Sequence, residues 1–89
     1  MKAFISVIGD DKIGIIHEVT TVLRKYQINV LDINQTLLQD YFAMVMFVDL
    51  AQMSVDFSQL KDELETIGQK IALSIHIQRE DLFNAMHSI

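Results

Sequence analysis

The residues best suited to chemistry in this 89-residue chain gather near its start, in Gly9-Asp10-Asp11-Lys12-Ile13-Gly14. Two adjacent carboxylates, an ammonium and two glycines stand between an apolar stretch and a run with helical spacing. The first N–H groups of a helix have no partners within it, and such a terminus accepts a carboxylate. A glycine in the first turn lets a ligand or a second backbone come close, because it has no Cβ. Without a ligand, the same segment reads as a helix start with an Asp cap and a glycine of unusual φ. Other candidate groups are scattered. His17, His76 and His87 fall on three different predicted elements, poor spacing for a metal site. There is no Cys, so no disulfide framework, no Cys metal clasp and no thiol nucleophile. No Ser-His-Asp spacing or activated nucleophile stands out. The chain reads as a non-enzyme, with no metal and no cofactor.

These residues need elements to position them. Residues 2–8 (KAFISVI) read as a strand rich in β-branched and aromatic types. Residues 9–14 read as a turn. Across residues 15–26, Ile15, Val19, Val22, Leu23 and Tyr26 recur at helical spacing. Residues 28–38 are a long strand, with Leu31, Ile33, Gln35 and Leu37 on one face and Val30, Asp32, Asn34, Thr36 and Leu38 on the other. Gln39-Asp40-Tyr41 makes a short hairpin connection to the strand at residues 42–50, apolar almost throughout. A second helix spans residues 56–67. Asp56 caps it with Gln59 three residues on, and Gly68 takes the left-handed position after its end. Residues 71–78 alternate, with Ile71, Leu73, Ile75 and Ile77 inward. Residues 79–87 read as a terminal helix whose apolar side is Leu82, Phe83 and Met86.

The order is strand, helix, strand, strand, helix, strand, plus a terminal helix. This predicts an α+β, ferredoxin-like βαββαβ sandwich. Four antiparallel strands form the sheet, and right-handed crossovers place two helices on one face. A single domain fills the chain, with its core in residues 1–78 and a helical extension in 79–89. The helices leave one sheet face bare, and an apolar bare face marks an interface. The chain is also 51% apolar, rich for its size, so some of that surface is expected to be covered by another copy. A homodimer or higher oligomer follows as the expectation, with edge-to-edge and face-to-face pairing both open. Met44 and Met46 share one strand face as core or interface filler.

Several partners are unexpected. Net charge is −5, so the basic surface that displaces counterions from nucleic acid is missing. Phe4, Phe42 and Phe47 lie on the two central strands, as in sheets that stack RNA bases, but without basic flanks they read as packing. No apolar run approaches the ~20 residues of a membrane span. The first apolar stretch is too short for a secretory leader. A cytoplasmic protein is expected, without nucleic-acid or membrane partners. Other uses of this fold need paired Cys or an Arg in the first loop; this loop offers Lys12 beside two acids.

The segment SVIGDDKIGIIHEVTTVLRKYQINVLDINQ resembles the opening half of an ACT domain, a small amino-acid-sensing module. Asp11, Lys12, Ile13 and Gly14 fill its D-x-x-G loop, and Asn29 and Val30 open its second strand, continued by Asn34-Gln35-Thr36. The resemblance covers residues 1 to about 78, and the whole chain is most similar to stand-alone bacterial members. It implies a regulatory homodimer that binds a small molecule, typically an amino acid, between subunits. Carried over by position, the ligand-binding candidates are Asp11, Lys12, Ile13, Gly14 and Asn29. N–H groups of residues 13–15 would hold a carboxylate; Asp11 and the Asn29 oxygen would accept from an ammonium. Serine-sensing members carry a His near the Gly9 position and Asn at the Asp11 position, so serine is not implied. The alternative is a protein-interaction or oligomerisation module without a small-molecule ligand, in which the terminal helix docks a regulated partner or a second copy.

Overall fold

The computed structural model describes residues 1–10, 12–70 and 74–80. The elements run β1 (Lys2–Gly9), α1 (Lys12–Lys25), β2 (Asn29–Leu38), β3 (Tyr41–Asp49), α2 (Phe57–Lys70) and β4 (Ser74–Arg79). The strands form one sheet in the order β2-β3-β1-β4, each pair antiparallel. This is the expected βαββαβ fold. The expected terminal helix lies outside the described residues, apart from its first two positions: Arg79 ends β4 and Glu80 follows.

One sheet face builds the core. Ala3, Ile5 and Val7 of β1, Phe42, Met44, Met46 and Val48 of β3, and Ile75 and Ile77 of β4 are buried at alternate positions. Against them pack Ile15, Val19, Val22 and Leu23 of α1 and Leu60 and Leu64 of α2. All five residues of the expected α1 stripe are buried. The helix nevertheless begins three residues before the predicted start at Ile15, running through Gly14. The D-x-x-G segment is therefore mostly helix rather than turn. A helical Gly costs about 1 kcal/mol relative to Ala, but starting at Lys12 sets Ile15 squarely on the core face.

The ends of the helices depart from expectation in instructive ways. Asp56 caps α2 as predicted: the Gln59 N–H donates to its Oδ1 at 2.8 Å. Gly68 is not the residue that stops α2. It is buried inside the helix, which continues to Lys70, and no glycine among the described residues has a positive φ. The missing Cβ serves packing there, since Gly68 borders β4 beside Ile75. The left-handed cap belongs to α1 instead and is Gln27, with φ of 59°. Ile28 N–H donates to the Leu23 carbonyl at 2.9 Å and Gln27 N–H to the Arg24 carbonyl at 3.3 Å, the paired bonds of a Schellman ending. A side chain at that φ is strained. Gln27→Gly is expected to raise stability by about 0.5–1 kcal/mol, read as a higher urea midpoint at unchanged slope.

Next to this cap, Tyr26 Oη and Lys25 Nζ both donate to Glu63 Oε1, at 2.9 and 3.2 Å, tying the end of α1 to α2. The Tyr26 hydroxyl, and then Glu63, favour the charged ammonium and raise the Lys25 pKa above its ordinary value.

The β2–β3 hairpin is one residue tighter than predicted. Leu38 pairs with Tyr41, so Gln39 and Asp40 alone make the turn, with φ of 55° at Gln39. A second correction concerns the faces of β2. A bulge between Val30 and Asp32 breaks the alternation. Val30 pairs with buried Val48, on the core side with Ile33, Gln35 and Leu37. Asp32, Asn34 and Thr36 pair with Phe47, Val45 and Ala43 on the open side. The predicted grouping of Val30 with Asp32 fails because the inserted residue shifts the phase by one.

Candidate functional site

The candidate residues occupy two corners of the molecule. At the first, β1 ends at buried Gly9, Asp10 is exposed, and α1 opens with Lys12, Ile13 and Gly14. Ile13 is 82% exposed, a large aliphatic side chain standing in solvent at the positive end of a helix. Gly14 is partly buried and has ordinary helical φ. Asp11, the remaining loop candidate, lies outside the described residues. The second corner holds Asn29, exposed at the start of β2.

The sheet register separates these corners. Gly9 pairs with Phe42, which pairs with Leu37, so the α1 start sits at the Leu37 end of β2. Asn29 pairs with Asp49, which pairs with Lys2, at the other end of the sheet. At about 3.3 Å per residue the separation is roughly 25 Å. The structure brings Ile13 and Gly14 together and leaves Asn29 a strand length away. An antiparallel partner strand along the β2 edge reverses that distance: the Asn29 end of one copy then lies at the Leu37 end of the other.

Two further residues belong to this region and were not singled out from sequence. Ile33 and Leu37 point to the helix side of β2, yet neither helix covers them, and they stay 42% and 69% exposed. Their alternation was readable; their exposure was not, because it depends on where α1 stops short of the edge strand. The two give the β2 edge an uncovered apolar flank.

Elsewhere the structure offers little chemistry. His17 lies exposed on α1 and His76 on β4, as their separate elements required, and His87 lies outside the described residues. Among the described residues no group of three or more His, Asp or Glu could hold a metal. Asp32 is exposed, and its Oδ1 accepts from the Ile33 N–H at 2.9 Å. An open groove of about 440 Å³ runs between α2 and β4, past Phe57, Lys61 and Glu65. It shares no residue with the candidate set. Among the described residues no helix is long and apolar enough to cross a membrane.

The sequence profile of the ACT domain family matches residues 3–78. The chain belongs to the ACT domain family. ACT domains are regulatory modules, often ligand-binding ones. This ACT domain is 48% identical over 89 residues to a UPF0237 protein of Clostridium acetobutylicum, covering 100% of both chains. Its structure resembles an ACT domain protein from Streptococcus pneumoniae with a TM-score of 0.80, at 39% identity and covering 98% of each chain. It also resembles the regulatory subunit of aspartate kinase from Thermus thermophilus, in a ligand-free form. That TM-score is 0.62 at 26% identity, over 86% of this chain and 50% of that one. The first two relatives are matched along essentially their whole length.

Proposed function

We propose that this ACT domain is a regulatory sensor that binds an amino acid between two copies joined along their β2 edges. The register supports this reading. Ile13 and Gly14 lie towards one end of β2 and Asn29 at the other, so a second, antiparallel copy would bring the two groups to the same end of the joined edge. The exposed flank of Ile33 and Leu37 then becomes buried on association. In that arrangement the ligand carboxylate meets the positive end of α1. Its ammonium meets Asp11 and the Asn29 side-chain oxygen, Asn29 coming from the other copy. The partly buried Gly14 leaves room for the ligand backbone.

A thermal-shift screen of the full chain against amino acids and nucleobases tests the proposal. Saturation at one hundred times Kd adds about 2.7 kcal/mol. For a domain of this size that corresponds to a rise of roughly 10–20 °C. Asn29→Ala is expected to shrink the response without lowering the unliganded midpoint, since Asn29 is exposed in the single chain. A flat screen would favour the second reading, a ligand-free oligomerisation module, which the uncovered Ile33 and Leu37 would serve equally well.

A further inference from the structure

The sheet has a second face, opposite the helices, and its side chains form a regular grid. Three rungs cross all four strands. Asp32, Phe47, Phe4 and Gln78 make the first, Asn34, Val45, Ser6 and His76 the second, and Thr36, Ala43, Ile8 and Ser74 the third. Within these rungs the two central strands contribute Phe47, Val45, Ala43, Phe4, Ser6 and Ile8, five of six apolar, with the charged pair of positions Lys2 and Asp49 bordering the first rung on the same face. The two outer strands contribute Asp32, Asn34, Thr36, Gln78, His76 and Ser74, all polar. Ile8 is 52% and Val45 42% exposed, while Phe4 and Phe47 shelter each other in a stack with centroids 4.8 Å apart. An apolar centre between polar rims is the anatomy of a protein–protein interface.

We propose that this open face is an interface with a second copy of the same chain, packed face to face about a two-fold axis that crosses the strands over the middle rung. That axis lays the first rung of one copy over the third rung of the other. The large Phe47 then meets the small Ala43, Phe4 meets Ile8, and Asp32, an acceptor, meets the Thr36 hydroxyl. Gln78 meets Ser74. Polar rim lies on polar rim, and apolar centre on apolar centre. A two-fold running along the strands matches less well, stacking Phe4 on Phe47 at one end and only Ala43 on Ile8 at the other. Four strands spaced about 4.8 Å apart and about six residues long give a face of roughly 19 by 20 Å. With side-chain relief, two such faces bury on the order of 1,000 Å², the lower bound for a specific interface.

The choice of axis has a consequence for assembly, and this part rests on the edge pairing proposed above. Crossing the strands, the two-fold stacks β2 over β2, so both free edges lie on one side and edge pairing closes four copies into one assembly. Running along the strands, it would point the edges in opposite directions and produce an open filament.

Sedimentation of the full chain distinguishes the two interfaces. The parent is expected at four times the 10.2 kDa chain mass. Val45→Glu places like charges against each other on the axis and is expected to halve that mass, with an unchanged circular dichroism spectrum. Ile8→Lys, on the same exposed face, should do the same and guards against a folding defect in the first variant. Leu37→Asp attacks the edge alone and should also halve the mass, and combined with Val45→Glu it should leave the single chain. If both face variants keep the parent mass, another occupant covers the face, such as residues 81–89 of the same chain, and the proposal is overturned. A parent of two-copy mass that Val45→Glu reduces to one copy keeps the face proposal and removes the edge reading. A two-copy mass that resists Val45→Glu but not Leu37→Asp does the reverse, and a single-chain parent overturns both.

Discussion

Ile5→Ala is expected to cost the fold about 2–5 kcal/mol, enough to consume much of the 5–15 kcal/mol that holds a domain of this kind together. Ile5 is fully buried on β1, between Met46 on one neighbouring strand and Ile77 on the other. Truncation removes three carbons from a place where strands fix the walls on both sides, so little collapse can fill the space. Ile5→Val, one methylene smaller, should cost only about 0.5–1.5 kcal/mol. Val45→Ala supplies the contrast. Its residue lies on the opposite face, so at concentrations where the chain is monomeric it should change stability by no more than about 0.5 kcal/mol. Urea unfolding of the three variants at one fixed low protein concentration measures the series. An Ile5→Ala loss no larger than that of Val45→Ala would mean that the core does not lie on the helix side of the sheet.

Gly14→Val should separate folding from association. Gly14 sits inside α1 with ordinary helical φ. No left-handed conformation has to be preserved there. Helix propensity even favours the change slightly, because Val is a better helix former than Gly. The isolated chain should therefore melt within about 0.5 kcal/mol of the parent, or slightly higher. Association and ligand binding should suffer instead, because a branched side chain fills the space kept for a ligand or a second backbone. Overpacking of this kind costs about 1–3 kcal/mol, roughly a ten- to hundredfold loss in affinity. Gly14→Ala should lie between the two. Dilution sedimentation for association and calorimetry with any ligand from the screen supply the measurements. Full self-association and full ligand response in Gly14→Val would make Gly14 an ordinary helix residue and move the site elsewhere.

Much of this architecture was legible in the chain because burial imposes a period on it. The α1 stripe repeats without interruption, and so does the alternation of Ile75 and Ile77 in β4, and each marks the face that the structure buries; Ile71 and Leu73, the first two inward positions expected there, lie outside the described residues. The Asp56 cap was readable for a similar reason, since a carboxylate three residues before Gln59 has one obvious N–H to take. Local conformation proved harder where two residue types could serve. Gly68 looked like a helix stop, but tertiary packing used its small size inside α2, while Gln27 took the left-handed position without any compositional sign. The β2 bulge was invisible because phase belongs to a strand pair, and only the partner β3 shows which residue is extra. For the candidate site, glycines and acids pointed to the loop-to-helix corner in the sequence. That Asn29 stands at the other end of the sheet became clear only from the register. The roles of Ile33 and Leu37 depend on what the helices fail to cover, which no single element encodes.

The bulge in β2 also says where this chain tolerates a change of length. Between Val30 and Asp32 the strand carries one residue more than β3 needs, since Val30 pairs with Val48 and Asp32 with Phe47, the next residue along. Losing Leu31 leaves every other rung of the β2–β3 ladder with its present partner and removes only the local kink. Losing a residue between Asn34 and Leu37 instead has to be absorbed by the hairpin or by exchanging the inner and outer faces of the strand. Insertions and deletions along this edge are therefore unequal events: at one position the sheet has slack, and a few residues further on it has none.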